Sequence, residues 1–113
     1  MNSVKAIIID DEERARSTLK KLLTDYCPGV EVVQECAGVP EGVLAINKHR
    51  PQLVFLDIEM PEYTGFELLV FFRDVDFEII FVTAYNEYAL RAFEVSAIDY
   101  LLKPVDIDKL KAA

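Results

Sequence analysis

An apolar run that stops at a carboxylate is the feature that most constrains how this chain can fold. Residues 53–56 are Leu, Val, Phe and Leu, and Asp57 follows them before a turn that contains Pro61 and Gly65. Four consecutive apolar residues are typical of a strand covered on both faces, as in parallel sheets under helices. The pattern predicts a buried strand that places Asp57 at the carboxyl edge of a sheet, where open α/β folds hold ligand crevices. For Asp57 alone, the simpler interpretation is a cap on the following helix.

Length and charge limit the possible functions. At 113 residues the chain suits one domain, and an apolar content of 52% predicts a globular fold. The net charge of -8 disfavours binding of nucleic acid or an anionic membrane by this domain. No apolar stretch approaches the ~20 residues of a membrane span, and no basic region precedes a long apolar one at the N-terminus. We therefore expect a cytoplasmic protein without a membrane partner.

The cysteines and the single histidine do not suggest catalysis. Cys27 and Cys36 lack metal-type spacing and a neighbouring histidine, so we interpret them as reduced, mostly buried residues. His49 stands beside Arg50 and Pro51, and we predict that it is a surface residue near a helix C-terminus.

Apolar periodicity predicts that strands and helices alternate along the whole chain. Short runs rich in β-branched and aromatic residues indicate strands, and apolar residues at helical spacing indicate helices. The predicted strands are residues 5–10, 30–36, 53–56, 78–83 and 98–102, and the predicted helices are residues 12–25, 39–46, 66–72, 86–95 and 106–113, the third well buried and the fifth capped by Asp106. This alternation predicts an α/β fold with helices on both faces of a five-stranded parallel sheet.

Polar residues end four of the predicted strands: Asp10 and Asp11 the first, Asp57 the third, Thr83 the fourth and Lys103 the fifth. Each has a simpler explanation by itself, such as helix capping or a solvated lysine. If the strand order is 2-1-3-4-5, however, all four ends meet in one crevice. Packed acids repel one another and favour a hard cation, and Mg²⁺ suits two or three carboxylates plus waters.

These motifs together make the chain similar to the receiver domain of two-component response regulators. The resemblance covers nearly all 113 residues, and its motifs occur in order at suitable spacing. They are Ile9-Asp10-Asp11, Leu56-Asp57-Ile58-Glu59-Met60-Pro61 with Gly65 four residues beyond the proline, Val82-Thr83-Ala84, and Tyr100-Leu101-Leu102-Lys103-Pro104. The resemblance implies a flavodoxin-like (CheY-like) doubly wound fold.

The same resemblance implies a role for each site residue. Asp57 would be the phosphoacceptor for a sensor histidine kinase, with Thr83 and Lys103 as phosphate contacts. The Mg²⁺ ion would be held by Asp10, Asp11, Asp57 and the backbone carbonyl of Glu59. Thr83 and Tyr100 would form the switch, because movement of Thr83 would open space into which the Tyr100 ring could turn. Beyond this phosphoryl transfer and its reversal, no enzymatic activity is expected.

The sequences of helix four and strand five indicate which kind of receiver domain the chain resembles. They are similar to receivers that carry a LytTR-type (LytR/AlgR-like) DNA-binding domain, and the short fifth helix suggests an excised receiver of residues 1–113 with its output domain beyond Ala113. We expect homodimerisation on phosphorylation through the face formed by helix four, strand five and the start of helix five, because aromatic residues and Arg are enriched at interfaces. The residues in question are Tyr85, Tyr88, Arg91, Phe93 and Tyr100. We also predict a cis bond between Lys103 and Pro104.

Three alternatives compete with this interpretation. An Asp-dependent phosphohydrolase of the haloacid-dehalogenase kind is disfavoured by the adjacent pair Asp10-Asp11, where that class resembles Asp-x-Asp, and by the short chain. A receiver-like interaction module that is never phosphorylated is disfavoured by the retention of every acidic, hydroxyl and ammonium position. A nucleotide-binding domain is disfavoured because no Gly-rich phosphate loop follows any strand.

Overall fold

The computed structural model describes residues 4–72, 74–84, 87–94, 97, 99–103 and 105, and strands and helices alternate through them. The elements are β1 Val4–Ile9, α1 Glu13–Tyr26, β2 Val30–Cys36, α2 Val39–His49, β3 Leu53–Leu56, α3 Gly65–Leu68 with a 3₁₀ turn at Leu69–Phe71, β4 Glu78–Thr83, α4 Ala89–Glu94 and β5 Asp99–Leu102. The predicted alternation is therefore confirmed.

Within the described residues the five strands form one parallel sheet in the order β2-β1-β3-β4-β5. Ile9 pairs with Leu56, and Leu56 pairs in turn with Phe81. Thr83, two residues further along β4, pairs with Leu102 at the end of β5. This register brings the carboxyl ends of β1, β3, β4 and β5 to one edge of the sheet, as the predicted strand order requires.

The sheet separates two apolar layers, which explains why its strands are apolar at consecutive positions. One layer joins alternate strand residues such as Ile9, Leu56 and Phe81 to α2, α3 and α4. The other joins the intervening residues to α1, whose Leu19 and Leu23 are buried. Both faces of the central strands are thereby removed from water.

Helix α3 is shorter and less buried than predicted. It ends at Leu68, and the chain tightens into the 3₁₀ turn Leu69–Phe71. Val70 is 82% exposed and Phe71 is 51% exposed, so the prediction of a well-buried helix through residue 72 is wrong. The sequence is apolar without a break from Leu68 to Phe72, and such a run has no polar face that would show where the buried turn ends.

Helix α2 continues to His49, three residues beyond its predicted end. Arg50 stops it in the left-handed conformation (φ 47), directly before Pro51. His49 does lie at a helix C-terminus, but it is half-buried, and its Nε2 atom is 2.9 Å from the Gln34 side-chain oxygen on β2. The histidine therefore ties α2 to the edge strand.

Both cysteines are free, as predicted; Cys27 is half-buried and Cys36 is buried. Burial, followed by the charge of Glu41, raises the pKa of Cys36 to about 11, so its thiol stays protonated at neutral pH.

Several predictions fall on residues outside the described part of the chain. These are the fifth helix with its Asp106 cap, the Lys103–Pro104 bond, and the predicted first and last residues of helix four, Asn86 and Val95. Glu87 and Tyr88 are described and form a turn, so α4 begins at Ala89, three residues later than predicted. Among the described residues, no helix has the length and apolar character needed to cross a membrane.

Candidate functional site

The polar residues that end the strands meet at the carboxyl edge of the sheet. Lys103 Nζ lies 2.8 Å from Asp10 Oδ2 and 3.5 Å from Asp57 Oδ2. The Thr83 side chain is hydrogen-bonded to the Asp57 carboxylate. Asp10, Asp57 and Thr83 are 4%, 5% and 0% exposed, so these polar groups are buried together rather than solvated separately. The structure thus joins residues that are up to 93 positions apart in the sequence.

Local hydrogen bonds orient the Asp57 carboxylate. The backbone N–H of Ile58 donates to Asp57 Oδ1 at 2.8 Å, and the N–H of Asp57 donates to the Ile9 carbonyl at 2.9 Å. Asp57 does not cap helix α3, because that helix begins at Gly65 with Thr64 as its N-cap residue. The simpler interpretation of this aspartate, as a cap on α3, is therefore wrong.

Gly65 allows helix α3 to start close to the end of β3, where Asp57 lies. Its N–H donates to the Ile58 carbonyl at 2.8 Å. A Cβ atom at this position would overlap the Asp57 carbonyl oxygen and would crowd the Leu56 side chain. Any larger residue must push α3 away from the strand end that carries Asp57. Steric crowding therefore explains why this position of the motif is a glycine.

Burial makes the ionised form of Asp57 unfavourable. Desolvation and then the neighbouring charge of Asp10 raise the pKa of Asp57 from 3.8 to about 6, against the opposing effects of Lys103 and the hydrogen bonds from Ile58 and Thr83. Burial alone would lower the pKa of Lys103, but the hydrogen bond to Asp10 and the charges of Asp57 and Asp10 outweigh it and raise that pKa. A cation bound beside Asp57 would therefore stabilise its ionised form.

The acids at this edge fit a hard cation. Single carboxylate oxygens of Asp10, Asp11 and Asp57 all lie within 4.8 Å of one another, and Asp11 is exposed while the other two are buried. An open cavity of about 350 Å³ adjoins them. It is lined by Asp11, Glu12, Asp57, Glu59, Met60, Pro61, Ala84 and Lys103. Carboxylate oxygens around a space that admits water and phosphate oxygens are the donor set that Mg²⁺ prefers.

Glu59 and Tyr100 lie at the border of this site. Glu59 lines the cavity, and its side chain accepts a hydrogen bond from the Tyr88 hydroxyl. Tyr100 is half-buried, with its ring centroid 6.4 Å from that of Phe81. Its hydroxyl is hydrogen-bonded to the backbone of Tyr88, and burial is the main cause that raises its pKa. Tyr100 thus already packs against the core.

Two supporting residues were missed by the sequence reasoning. Arg16 on α1 donates to the Asp10 carbonyl at 2.6 Å and also lies 3.7 Å from Glu35 on β2. Glu12 lies 3.7 Å from Lys103, and its own N–H donates to Asp10 Oδ1. The only signal in the sequence was their position in the first turns of the helix that follows Asp10.

Comparison with known families agrees with this fold. The model of the response regulator receiver domain matches residues 6–113. The chain therefore belongs to the response regulator receiver domain family, as its motifs predicted.

Individual relatives support the same assignment. An uncharacterised response regulatory protein of Yersinia pestis is 46% identical over 108 residues, which are 95% of this chain and 45% of that protein. The transcriptional regulatory protein BtsR of Escherichia coli (strain K12) is 44% identical over 110 residues, with 96% of this chain and 45% of BtsR covered. The crystal structure of a LuxR-family two-component response regulator from Aurantimonas sp. superposes with a TM-score of 0.86 at 28% identity, covering 99% of this chain and 82% of that one. The chain thus spans a little under half the length of the curated relatives it matches.

Proposed function

We propose that Asp57 is the phosphoacceptor of this receiver domain and takes a phosphoryl group from a sensor histidine kinase. The observation that carries the proposal is the placement of Asp57: a buried carboxylate between the Lys103 ammonium and the Thr83 hydroxyl, facing an acid-lined cavity. A carboxylate so placed can act as a nucleophile toward phosphorus.

The residues around Asp57 have separate roles in the phosphoryl transfer. An oxygen of Asp57 attacks phosphorus as the bond from phosphorus to the donor imidazole breaks, and the product is an acyl phosphate. Lys103 offsets the charge of the phosphoryl oxygens, and Thr83 offers a hydroxyl donor to one of them. Asp10, Asp11, Asp57 and the Glu59 backbone carbonyl would hold Mg²⁺, which supplies further charge neutralisation. No reaction other than this transfer and its reversal is proposed.

Intact-mass measurement tests this assignment. Incubation with acetyl phosphate and Mg²⁺ should add one phosphoryl group to the wild type and none to Asp57→Asn. The matched control is Asp76→Asn, an exposed acid before β4, which should be labelled like the wild type. Equal labelling of Asp57→Asn, or no labelling of the wild type, would refute the phosphoacceptor role.

We further propose that the receiver controls transcription through a LytTR-type DNA-binding domain, in the cytoplasm and without DNA contacts of its own. The support is the transcriptional role in the name of BtsR, the 45% of BtsR that this chain covers, and the resemblance of helix four and strand five to receivers of that type. Specific DNA binding by the full-length protein, lost when the segment after the receiver is removed, is the expected result.

Phosphorylation is proposed to promote homodimerisation through the α4–β5 face. Arg91 is exposed there, with its guanidinium carbon 4.4 Å from the centroid of the Phe66 ring, and Leu102 is 43% exposed. Tyr88 and Tyr100 are half-buried against the core of their own domain, which reduces the side-chain surface they can contribute to an interface. The side chains of Tyr85 and Phe93 lie outside the described part of the chain. Sedimentation with and without beryllofluoride tests the proposal, and a monomer under both conditions at high concentration would contradict it.

A further inference from the structure

A hydrogen bond connects the two loops that flank the cavity. Glu59 stands two residues after Asp57, and its carboxylate accepts a hydrogen bond from the hydroxyl of Tyr88, which directly precedes α4. The two residues are 29 positions apart in the sequence. The contact therefore joins the loop after β3 to the segment between β4 and α4 across the mouth of the site.

Tyr88 is held on more than one side. Its ring is half-buried, with the centroid 6.0 Å from that of Phe66 in the core beneath α3. Its backbone is hydrogen-bonded to the Tyr100 hydroxyl, and the Tyr100 ring packs on Phe81. The Tyr88 hydroxyl is thus a fixed donor, because the ring that carries it is anchored in the core.

Glu59, by contrast, is exposed, so packing does not determine where its carboxylate lies. Glu59 lines the same cavity as Asp57 and Lys103. A carboxylate that turned into this cavity would repel a phosphoryl group on Asp57, since like charges within a few ångströms disfavour each other. The hydrogen bond to Tyr88 keeps this negative charge on the α4 side of the cavity.

The same hydrogen bond supports the arrangement in which Thr83 contacts Asp57. Thr83 lies five residues before Tyr88, and its side chain is already hydrogen-bonded to the Asp57 carboxylate. Anchoring the segment at Tyr88, next to Tyr100, limits how far it can move away from the site. Both effects of the contact favour an anionic group on Asp57.

We propose that Tyr88 is a positioning residue that holds the Glu59 carboxylate away from the phosphoryl group and thereby stabilises the phosphorylated state of the domain. This inference rests on the phosphoacceptor role of Asp57. It predicts that the Tyr88 hydroxyl acts through Glu59, so its effect must disappear when Glu59 has no carboxylate.

A beryllofluoride titration in Mg²⁺, followed by amide NMR, tests the inference. Tyr88→Phe removes the hydroxyl and keeps the ring that packs on Phe66, and it should raise the half-saturating concentration by about three- to tenfold. In a Glu59→Ala background the same change should have less than about a twofold effect. Tyr26→Phe, at the exposed end of α1, is the matched control and should titrate like the wild type.

The outcomes separate this inference from the proposed function. If the wild type binds beryllofluoride and Tyr88→Phe binds it equally well, the positioning role is refuted while the phosphoacceptor role stands. An equal loss with and without Glu59 would also refute it, because a merely structural tyrosine would act independently of the carboxylate. If the wild type does not bind beryllofluoride, or if Asp57→Asn binds it as well as the wild type does, both proposals fail.

Discussion

Replacing Asp57 with asparagine should stabilise the folded domain in the absence of a divalent cation. The carboxylate is 5% exposed and sits beside Asp10, and these two conditions disfavour its charge. Asparagine has nearly the same shape, and its side-chain oxygen can still accept the hydrogen bond from the Ile58 N–H. The substitution therefore removes a buried charge without leaving a cavity.

The raised pKa of Asp57 sets the size of this effect. It stands at about 6 in the folded protein against an ordinary value of 3.8. Each pH unit between the two values corresponds to about 1.4 kcal/mol, so the ionised carboxylate costs the folded state roughly 3 kcal/mol above pH 6. The attraction of Lys103 is already contained in this net value, since it opposes the increase in pKa.

The pH dependence of stability takes its sign from the direction in which folding changes the pKa of Asp57. Because the folded-state pKa is above the unfolded one, the folded protein binds more protons between about pH 4 and pH 6. The contribution of Asp57 to the free energy of unfolding therefore falls as the pH rises through this window. Asp57→Asn lacks that fall, so its advantage over the wild type should be full near pH 7.5 and small near pH 4.

Urea denaturation in EDTA measures both quantities. We expect Asp57→Asn to exceed the wild type in free energy of unfolding by roughly 3 kcal/mol near pH 7.5 and by less than about 1 kcal/mol near pH 4. Asp76→Asn, which removes an exposed charge, should change the stability by less than about 0.5 kcal/mol at either pH. The reasoning is wrong if Asp57→Asn is no more stable than the wild type near pH 7.5, or if its advantage does not depend on pH.

Further expectations concern the cation and the packing around the site. Added Mg²⁺ should raise the thermal midpoint of the wild type, because a ligand of the folded state stabilises it, and Asp11→Ala should respond much less; an equal response would remove Asp11 from the metal site. Gly65→Ala should lower the free energy of unfolding by about 1–3 kcal/mol and slow labelling by acetyl phosphate, since the added methyl group meets the Asp57 carbonyl. Gly29→Ala is its control, because a Cβ there has no atom within 4 Å; equal stability of the two variants would contradict the steric argument.

Much of the fold could be predicted because its signals are local. A buried parallel strand needs consecutive apolar residues, and residues 53–56 and 79–82 show them directly. The positions of Asp10, Asp57 and Lys103 at strand ends, together with a parallel strand order, were enough to predict that they meet. Their meeting follows from the register of the sheet, in which equivalent strand ends lie side by side.

The tertiary structure alone decided where α3 ends, how strongly Asp57 resists ionisation, and which residue holds Glu59. A continuous apolar segment has no periodicity to mark its last buried residue, so Val70 and Phe71 were predicted to be buried although both are exposed. The pKa of Asp57 depends on how much water the packed helices exclude. The contact from Tyr88 to Glu59 joins two loops whose separation is set by the packing of Phe66 beneath them. Such contacts depend on distances between elements, which residue types and spacing in one sequence do not contain.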